Sequence, residues 1–504
     1  MKLFFKIFII SIIISFFPLL SYDFFWHLKT GEFIAKNGIP REDPFSYNSR
    51  GEWINHAWFY DLLIYFLLKL GGFSFLFFFK YLIVFLIAYF IYKISAEKNF
   101  SPFFIISLIF WALSLSRHRL DVRPDALGHL FFLLLLFSFQ KRKYIILLTI
   151  LVFWVNFHAS FIFGSILSFF YFILEFLKEK KKINLIYSIL SIVLPLANPY
   201  FYKAFIAPVK LIFEVKNLNL VNPEWLFPPF LPFLSFYLSI PFVLYIFFND
   251  TKKINKFLFF PILFLSLTSL RFIGFFSISV PFFIEIEKKY FKYIFSAIGL
   301  LSLIFSFFYF SAPGIGLDKT KIPVEEVNFL KTINPEENIF CSPGYGGYLI
   351  CSFYPDKKVF WDGRNELYLD ILKEFEFALR SKENWGKFQE KYKIGYAIIK
   401  YQGMHKFKIG NEFKFLPFSY LFFSKEEWDL IFWDDSAMVF MKKGLKNLKN
   451  YKFNPEVLEY LIYLISIGEI KSDELKEEII FKLKQNPNCK RAKILLKKLK
   501  SNNL

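Results

Sequence analysis

The sequence predicts a polytopic α-helical membrane protein that carries a C-terminal, extracytoplasmic soluble domain of α/β or α+β type. Of its 504 residues, 55% are hydrophobic. Roughly the first 310 residues are interrupted only by short polar loops, which excludes a soluble globule and is typical of a bundle of membrane helices. Lysine clusters recur between the apolar segments, and after about residue 315 the pattern becomes that of a mixed α/β domain.

About eleven apolar segments are candidate membrane helices, because roughly 20 apolar residues cross a bilayer of about 30 Å. Several are only about 14–16 residues long, so about nine to twelve crossings fit the pattern. The first segment is predicted to be a retained helix, since no small-residue cleavage site precedes Asp23. The segments occupy residues 3–20, 73–93, 102–116, 126–139, 144–157, 160–175, 183–197, 230–248, 257–270, 272–286 and 293–311.

The lysines predict the orientation of these helices. If the N-terminus is cytoplasmic, six successive lysine clusters fall on the cytoplasmic side, between Lys2 and Lys292, as the positive-inside rule requires. The opposite face then receives most of the acidic, histidine and arginine residues of the hydrophobic region. We therefore expect a functional site on the extracytoplasmic face of a bacterial inner membrane.

The chain is predicted to have three parts. Residues 1–314 form the transmembrane domain, with a large outer loop at 21–72 in which the helices 24–36 and 57–70 lie at the membrane interface. If 57–70 crossed the membrane, every later lysine cluster up to residue 292 would be outside. Residues 315–445 form the mixed domain, and residues 446–504 form a basic tail of two or three amphipathic helices.

Within the mixed domain, the apolar spacing and turn signals predict both element types. Helices are expected at 323–333, 366–380 and 384–392, and strands at 338–342, 357–361, 396–400, 428–433 and 437–442.

The net charge of +20 does not indicate nucleic-acid binding, because basic inner loops and a lipid-facing basic tail account for it. Membrane lipid is the expected partner. Cys341 and Cys351 could form a disulfide on the oxidising side, and two unpaired thiols fit equally well.

Asp23 follows the first helix directly, in the run Asp23-Phe-Phe-Trp-His27. A carboxylate at the membrane boundary is costly unless it is hydrated or paired. Asp23 could cap the following helix, or it could act as a general base or a metal-binding carboxylate just above the bilayer. Asp43, in a turn-rich stretch of the same loop, fits a turn initiator better than a catalytic group.

Several motifs together resemble a bacterial family of integral-membrane proteins with C-type (GT-C) glycosyltransferase architecture. Its relatives include protein mannosyltransferase-like and lipid A aminoarabinose transferase-like enzymes. The resemblance covers about residues 1–440 and is carried by Trp-His-Leu at 26–28, Ile-Pro-Arg-Glu-Asp-Pro-Phe-Ser at 39–46, Trp-Ile-Asn-His-Ala-Trp at 53–58, Arg123-Pro124, Trp-Val-Asn-Phe-His-Ala-Ser at 154–160, Asn-Pro-Tyr at 198–200, Glu224-Trp225, Arg271-Phe272, Gly-Gly-Tyr-Leu at 346–349 and Trp-Asp-Gly-Arg at 361–364.

The resemblance implies catalytic roles for acidic residues of the outer loops. Asp23 would be a base or a metal ligand, and Asp121 or Asp125 in the second outer loop would be a second acid. The adjacent pair of acids usual in such enzymes is absent, because Asp23 is followed by two phenylalanines. A divalent metal therefore remains open, no other cofactor is implied, and no residue is assigned as a metal ligand.

Three arginines, at positions 117, 119 and 123, lie on the outer face against the positive-inside trend. Asp121 and Asp125 could neutralise them as ion pairs. Alternatively, Arg119 or Arg123 could bind a lipid-linked phosphate, because guanidinium groups are permanently charged, bidentate donors.

Arg271 is a second candidate phosphate ligand, since no acid lies near it in the sequence. His27, His56 and His158 also belong to the outer boundary and are candidate substrate-binding residues. No two histidines have the spacing of local zinc ligands.

These features predict a membrane glycosyltransferase that moves a sugar from a polyprenyl-phosphate donor to an extracytoplasmic acceptor, which could be a glycan, lipid or protein. The alternative is a non-enzymatic transporter or envelope assembly factor with an outer binding domain. Transporters tend to place charges near the membrane midplane and to show internal repeats. Here the charges lie at the outer boundary.

Overall fold

The computed structural model describes residues 2–216, 223–250, 253–409 and 412–501. The chain forms two compact units. The first comprises Met1–Arg41 and Glu52–Leu317, and the second comprises Glu42–Gly51 and Asp318–Leu504. A ten-residue piece of the predicted outer loop is therefore part of the second unit, and so is the basic tail.

The first unit is helical. Its described helices are α1 (Lys2–Ser15), α2 (Asp23–Asn37), α3 (Trp58–Ala96), α4 (Pro102–Ser116), α5 (Pro124–Lys141), α6 (Tyr144–Trp154), α7 (Phe161–Glu179), α8 (Lys182–Val193), α9 (Lys203–Lys216), α10 (Leu234–Asp250), α11 (Lys253–Thr268), α12 (Ile273–Phe283) and α13 (Phe291–Tyr309). Three of the helices in the described ranges, α3, α7 and α13, are long and apolar enough to cross a membrane. The chain is thus a multi-pass membrane protein.

The two predicted helices 57–70 and 73–93 join into the 39-residue helix α3. Gly71 and Gly72 leave the helical conformation inside it, and Gly72 has a φ of 62°, which glycine adopts without steric cost. The glycine pair is therefore a break between two helical halves. That the first half lies at the membrane interface without crossing stays a prediction.

Helix α2, which confirms the predicted helix 24–36, packs closely against the first half of α3. The approach depends on Gly31, because a β-carbon there would lie 2.0 Å from the carbonyl oxygen of Asp61. A side chain at this position would force the two helices apart. The same contact brings the buried carboxylate of Asp61 beside the side chains of α2.

The second unit is mixed. Its helices are α14 (Val324–Ile333), α15 (Gly346–Phe353), α16 (Leu369–Ala378), α17 (Lys382–Lys391), α18 (Phe418–Phe422), α19 (Leu458–Ser466), α20 (Ser472–Gln485) and α21 (Lys490–Ser501). Its strands are β1 (Asn338–Cys341), β2 (Ile394–Lys400), β3 (Met404–Ile409), β4 (Glu412–Pro417), β5 (Trp428–Trp433) and β6 (Ala437–Lys442). One sheet has the order β1-β2-β6-β5, with β1 parallel to β2 and the other pairs antiparallel.

Most predicted elements of this unit are confirmed, and two differ. Residues 357–361 form only a single parallel bridge, between Val359 and Ser46. The hairpin of β3 and β4 was not predicted, although lysine and phenylalanine alternate along both strands in the way that half-buried strands do. All three cysteines are free, so Cys341 and Cys351 are two thiols.

A buried ion pair holds residues 42–51 in the second unit. The Arg364 guanidinium lies 2.8 Å from a carboxylate oxygen of Asp43 and 2.5 Å from one of Asp362, and all three side chains are almost fully buried. Asp43 also accepts hydrogen bonds from the backbone N–H groups of Phe45 and Ser46, which is the turn role that its sequence context predicts. The Trp-Asp-Gly-Arg motif is thus an attachment point for the loop.

Candidate functional site

The candidate site lies in the first unit, where four parts of the chain meet through charged side chains. Asp23 begins α2, Arg123 precedes α5, and Glu224 and Arg271 lie in two short 3-10 helices, Pro223–Trp225 and Leu270–Phe272. The two 3-10 helices are tied by backbone and hydroxyl hydrogen bonds, including one from the Ser269 hydroxyl to the carbonyl oxygen of Glu224. Residues about 250 positions apart in the sequence thereby reach one cluster.

Ion pairs connect these side chains into one network. Arg119 lies 2.5 Å from a carboxylate oxygen of Asp125 and 2.8 Å from one of Glu224. Arg123 lies 3.0 Å from the same Glu224 oxygen and 2.9 Å from a carboxylate oxygen of Asp23. Arg119 and Asp125 are almost fully buried, whereas Asp23, Arg123 and Glu224 keep between 18% and 31% of their side-chain surface exposed.

Glu224 was not among the predicted site residues, yet it is the acid that joins both arginines. Burial opposes its ionisation, but the charges of Arg119, Arg123 and Arg271 outweigh burial and hold the pKa of Glu224 below its usual range. Its sequence signal was an isolated carboxylate next to a tryptophan at an outer boundary. Only the fold shows that its partners are Arg119 and Arg123, which lie about 100 residues earlier in the sequence.

Asp23 uses both carboxylate oxygens. One accepts a hydrogen bond from Arg123 at 2.9 Å and the other from the indole N–H of Trp26 at 3.3 Å. The residue before α2 is Tyr22, and no side-chain hydrogen bond caps the helix start. The Asp23 carboxylate is therefore oriented toward the arginine network by contacts other than helix capping.

Arg271 differs from the other two arginines of the cluster. Its guanidinium lies over the ring of Trp225, 4.8 Å from the ring centre. Within the described part of the chain it forms no ion pair, although it lies close enough to Glu224 and Asp125 to act on their charges. Its N–H donors are thus available to a negatively charged ligand.

Asp121 and Arg117 are placed differently. The Asp121 carboxylate accepts hydrogen bonds from the backbone N–H groups of Leu20, Ser21 and Val122. Arg117 is buried, donates to the carbonyl oxygen of Ile14 and to Ser306, and lies over two phenylalanine rings. Both side chains hold helix ends together, and the structure does not bring Asp121 into the ion-pair network.

The predicted histidines surround the network. His27 Nδ1 lies 2.5 Å from a carboxylate oxygen of Asp61, which the sequence reading did not single out. His158 Nε2 lies 3.6 Å from Asp125, and its Nδ1 lies 2.6 Å from the Ser160 hydroxyl. Burial, together with the nearby His27 and Arg271, lowers the pKa of His56 to about 4, so the His56 imidazole is neutral at physiological pH.

One group of side chains in the described ranges has the spacing of metal ligands, and it lies in the second unit. It consists of Asp434, Asp435 and Cys489. The Lys482 ammonium already lies 2.9 Å from Asp434, and Asp435 accepts backbone hydrogen bonds at the start of α21. These donors do not fit a metal site well, because a cation would have to displace Lys482. In the first unit the carboxylates of Asp23, Asp125 and Glu224 are likewise paired with arginines.

No protein-family model matches this sequence, and no curated protein is similar to it. Solved structures do match. The oligosaccharyltransferase AglB of the archaeon Archaeoglobus fulgidus, in complex with an inhibitory peptide and a dolichol-phosphate, is 10% identical with a TM-score of 0.55, over 82% of this chain and 74% of that chain. The Archaeoglobus fulgidus enzyme in complex with Zn and sulfate matches with a TM-score of 0.57 and 10% identity, over 95% of this chain and 82% of that chain.

A third structure of the same archaeal oligosaccharyltransferase, tethered to an acceptor peptide containing the NVT sequon, has a TM-score of 0.54 and 10% identity, with coverage of 82% and 74%. At this identity the likeness shows the fold. The similarity extends over most of both chains, and it confirms the architecture that the sequence motifs implied. The chain has the fold of a GT-C glycosyltransferase.

The buried pair of Arg119 and Asp125 generates a prediction about stability. Arg119→Met should destabilise the protein by about 3–5 kcal/mol, because it leaves a buried carboxylate without its main partner. The double variant Arg119→Met/Asp125→Leu should recover most of the loss, since it removes both charges. Thermal unfolding in detergent micelles measures both effects.

The control is Lys387→Met, which breaks an ion pair with Glu383 in which the two side chains are 70% and 76% exposed. It should leave the unfolding temperature unchanged, because exposed pairs contribute little. A double variant as unstable as Arg119→Met alone would show that Asp125 is not the reason why Arg119 is needed.

Proposed function

We propose that this protein is an extracytoplasmic-facing membrane glycosyltransferase that takes its sugar from a polyprenyl-phosphate donor. The observation that carries the proposal is Arg271, a partly buried guanidinium without an ion pair in the described residues, beside an ion-pair network that contains three carboxylates. A site that already balances its own charges and still presents N–H donors is suited to a phosphate oxygen. The GT-C fold supports this assignment by analogy.

The donor class follows from the chemistry and is supported by the fold. On the outer face no nucleotide-sugar is expected, and the described chain contains no glycine-rich phosphate-binding loop before a helix. A lipid-linked phosphate would reach the site from within the membrane. The structural neighbour AglB has been solved with dolichol-phosphate, which is consistent with a polyprenyl-phosphate in the present chain.

The proposed reaction divides the work between the two kinds of charged group. Asp23 takes up the proton of the acceptor nucleophile as that nucleophile attacks the sugar's anomeric carbon. The bond between that carbon and the phosphate oxygen breaks, and the phosphate keeps the electron pair. Arg271 and Arg123 stabilise the negative charge that develops on this leaving group.

Other side chains support these reacting groups. Asp125 holds Arg119 in place, and His56 and His158 contact the substrate as neutral imidazoles. A divalent cation, if one binds, would add further stabilisation of the phosphate.

The non-enzymatic alternative, a transporter or an assembly factor, has less support. A transporter would be expected to place its charged groups near the membrane midplane, whereas Asp23 begins α2 and Glu224 and Arg271 lie in short 3-10 helices between apolar helices. The acceptor, which could be a glycan, lipid or protein, is not identified by any described side chain.

The orientation of the chain is part of the proposal. With about eleven crossings and a cytoplasmic N-terminus, the loop around Arg50 and the second unit should be extracytoplasmic, and Lys181 should be cytoplasmic. In a variant without native cysteines, a membrane-impermeant thiol reagent added to intact cells should label Arg50→Cys and Lys382→Cys. Lys181→Cys should react only after the cells are opened. All three positions are exposed. External labelling at 181 without labelling at 50 would invert the topology.

Asp23→Asn should slow sugar transfer by roughly 10²–10⁴-fold, because an amide cannot take up the nucleophile's proton. The variant should still assemble in the membrane, since Asp23 is partly exposed. Glu32→Gln is the matched control, because Glu32 lies on the same helix and its ion pairs among the described residues are with Lys29 and Lys36. Wild-type turnover by Asp23→Asn would remove Asp23 from the mechanism.

Arg271→Ala should weaken donor-lipid binding by about 2–5 kcal/mol, as expected when one partner of a buried charge pair is removed. Arg123→Ala should also weaken it, and the double variant Arg123→Ala/Glu224→Ala, which also removes an acidic partner of Arg123, should not restore binding. Arg41 is the matched control, because its guanidinium lies 4.8 Å from the ring centre of Tyr200, as that of Arg271 does from Trp225. If Arg271→Ala and Arg123→Ala bind the donor normally, or the double variant recovers binding, the arginines serve only as structural ion-pair partners.

A further inference from the structure

A buried histidine–aspartate pair lies beside the arginine network. His27 on α2 is 4% exposed, and Asp61 on α3 is fully buried. The His27 Nδ1 atom lies 2.5 Å from Asp61 Oδ1, a separation that the close packing of Gly31 against Asp61 makes available. Neither the ion pairs of the arginine network nor the proposed proton transfer to Asp23 involves this pair.

The hydrogen bonds around Asp61 determine which atoms of Asn55 and His27 donate to its carboxylate. The backbone N–H of Ala57 donates to Asn55 Oδ1, so the Asn55 side-chain amide must point its NH₂ group the other way. That NH₂ group donates to Asp61 Oδ2 at 2.7 Å. The Asp61 carboxylate can only accept, so His27 Nδ1 must carry the hydrogen that it shares with Oδ1. In the neutral imidazole, Nε2 is then an acceptor with a free lone pair.

The ring of His27 is also fixed in orientation. It stacks on the indole of Trp26, with ring centres 3.5 Å apart, and meets the edge of Tyr60 at 5.3 Å. Its Nε2 atom forms no hydrogen bond with any residue in the described ranges. The lone pair of Nε2 can therefore accept a hydrogen bond from a ligand that enters the site.

We propose that Asp61 is a positioning residue that holds His27 with its proton on Nδ1, so that the bare Nε2 accepts a hydrogen bond from a sugar hydroxyl of the donor. This proposal rests on the proposed transferase function. A phosphate offers oxygens that accept hydrogen bonds, whereas a sugar hydroxyl can donate one. The free lone pair of Nε2 therefore matches the sugar, and the free N–H donors of Arg271 match the phosphate.

The placement of His27 and Arg271 fits this division between sugar binding and phosphate binding. His56 lies close enough to both His27 and Arg271 for each of them to influence its imidazole. Asp23 and His27 are four residues apart on α2 and thus lie on one helix face. One face of α2 would then present the proton acceptor and the sugar-binding group to the same substrate.

The tautomer is tested first, without any substrate. Nitrogen-15 NMR of histidine-labelled protein in lipid, with the His27 signal identified from His27→Gln, should show a protonated Nδ1 and an unprotonated Nε2. In Asp61→Asn the new amide must accept from Asn55 with its oxygen, so it presents its NH₂ group to His27 Nδ1. The proton should therefore move to Nε2, as an aspartate-to-asparagine change does in a catalytic triad. A signal of Nε2–H in the wild type, or no change in Asp61→Asn, would overturn the proposal.

Ligand binding is tested next with two probes, polyprenyl phosphate alone and polyprenyl phosphate carrying mannose or glucose. The glycosylated lipids should shift the His27 Nε2 signal, and polyprenyl phosphate alone should not. Asp61→Asn and His27→Leu should weaken binding of the glycosylated lipid by about 10–100-fold and leave binding of polyprenyl phosphate unchanged. His27→Gln should retain part of the affinity, because its side-chain oxygen can accept near the position of Nε2.

The two proposals fail in different ways. If polyprenyl phosphate does not bind the wild type, or binds Arg271→Ala equally well, the proposed function is wrong. If the phosphate binds but neither glycosylated lipid moves the His27 signal, the sugar-binding role is wrong. A purely structural pair is shown if His27→Leu and Asp61→Asn lower the unfolding temperature yet bind the glycosylated lipid as the wild type does.

Discussion

The arrangement of the first unit depends on how it neutralises a cluster of arginines. Arg119 is almost fully buried, so it needs acidic partners, and it obtains them from the start of α5 and from a distant 3-10 helix. Glu224 completes the arrangement because it serves both Arg119 and Arg123. Removing one buried partner would leave an uncompensated charge. The ion pairs therefore favour one relative position of the helices that supply these residues.

The same helix, α2, carries two groups whose environments differ. Asp23 is partly exposed and bonded to a cation, whereas His27 is nearly buried and bonded to an anion. Trp26 connects them, since its indole N–H donates to Asp23 and its ring stacks on His27. A change at Trp26 would therefore disturb both groups, which makes that residue unsuitable for separating the role of the carboxylate from that of the imidazole.

Sequence patterns predicted the elements better than the contacts between them. Hydrophobic periodicity and lysine clusters gave the helical region, the helix α2 and most of the mixed sheet, because these depend on local spacing. The arginines 119, 123 and 271 were identified because they violate a topological trend. Glu224 and Asp61 were missed as site residues because each acquires its partner through a contact between segments distant in sequence. Asp121 satisfied the same sequence criteria as Asp125, yet its carboxylate binds backbone N–H groups, which no residue pattern reveals.

The charge balance of the site favours one class of ligand over another. Asp23, Asp125 and Glu224 supply three carboxylates, and Arg119, Arg123 and Arg271 supply three guanidinium groups. The arginines lie against one oxygen of each carboxylate, and a metal ion at the other oxygens would place further positive charge beside them. A phosphate needs only N–H donors, and Arg271 offers them without breaking an ion pair among the described residues. An anionic substrate is thus accommodated by the network as it stands, whereas a cation would meet the repulsion of three guanidinium groups.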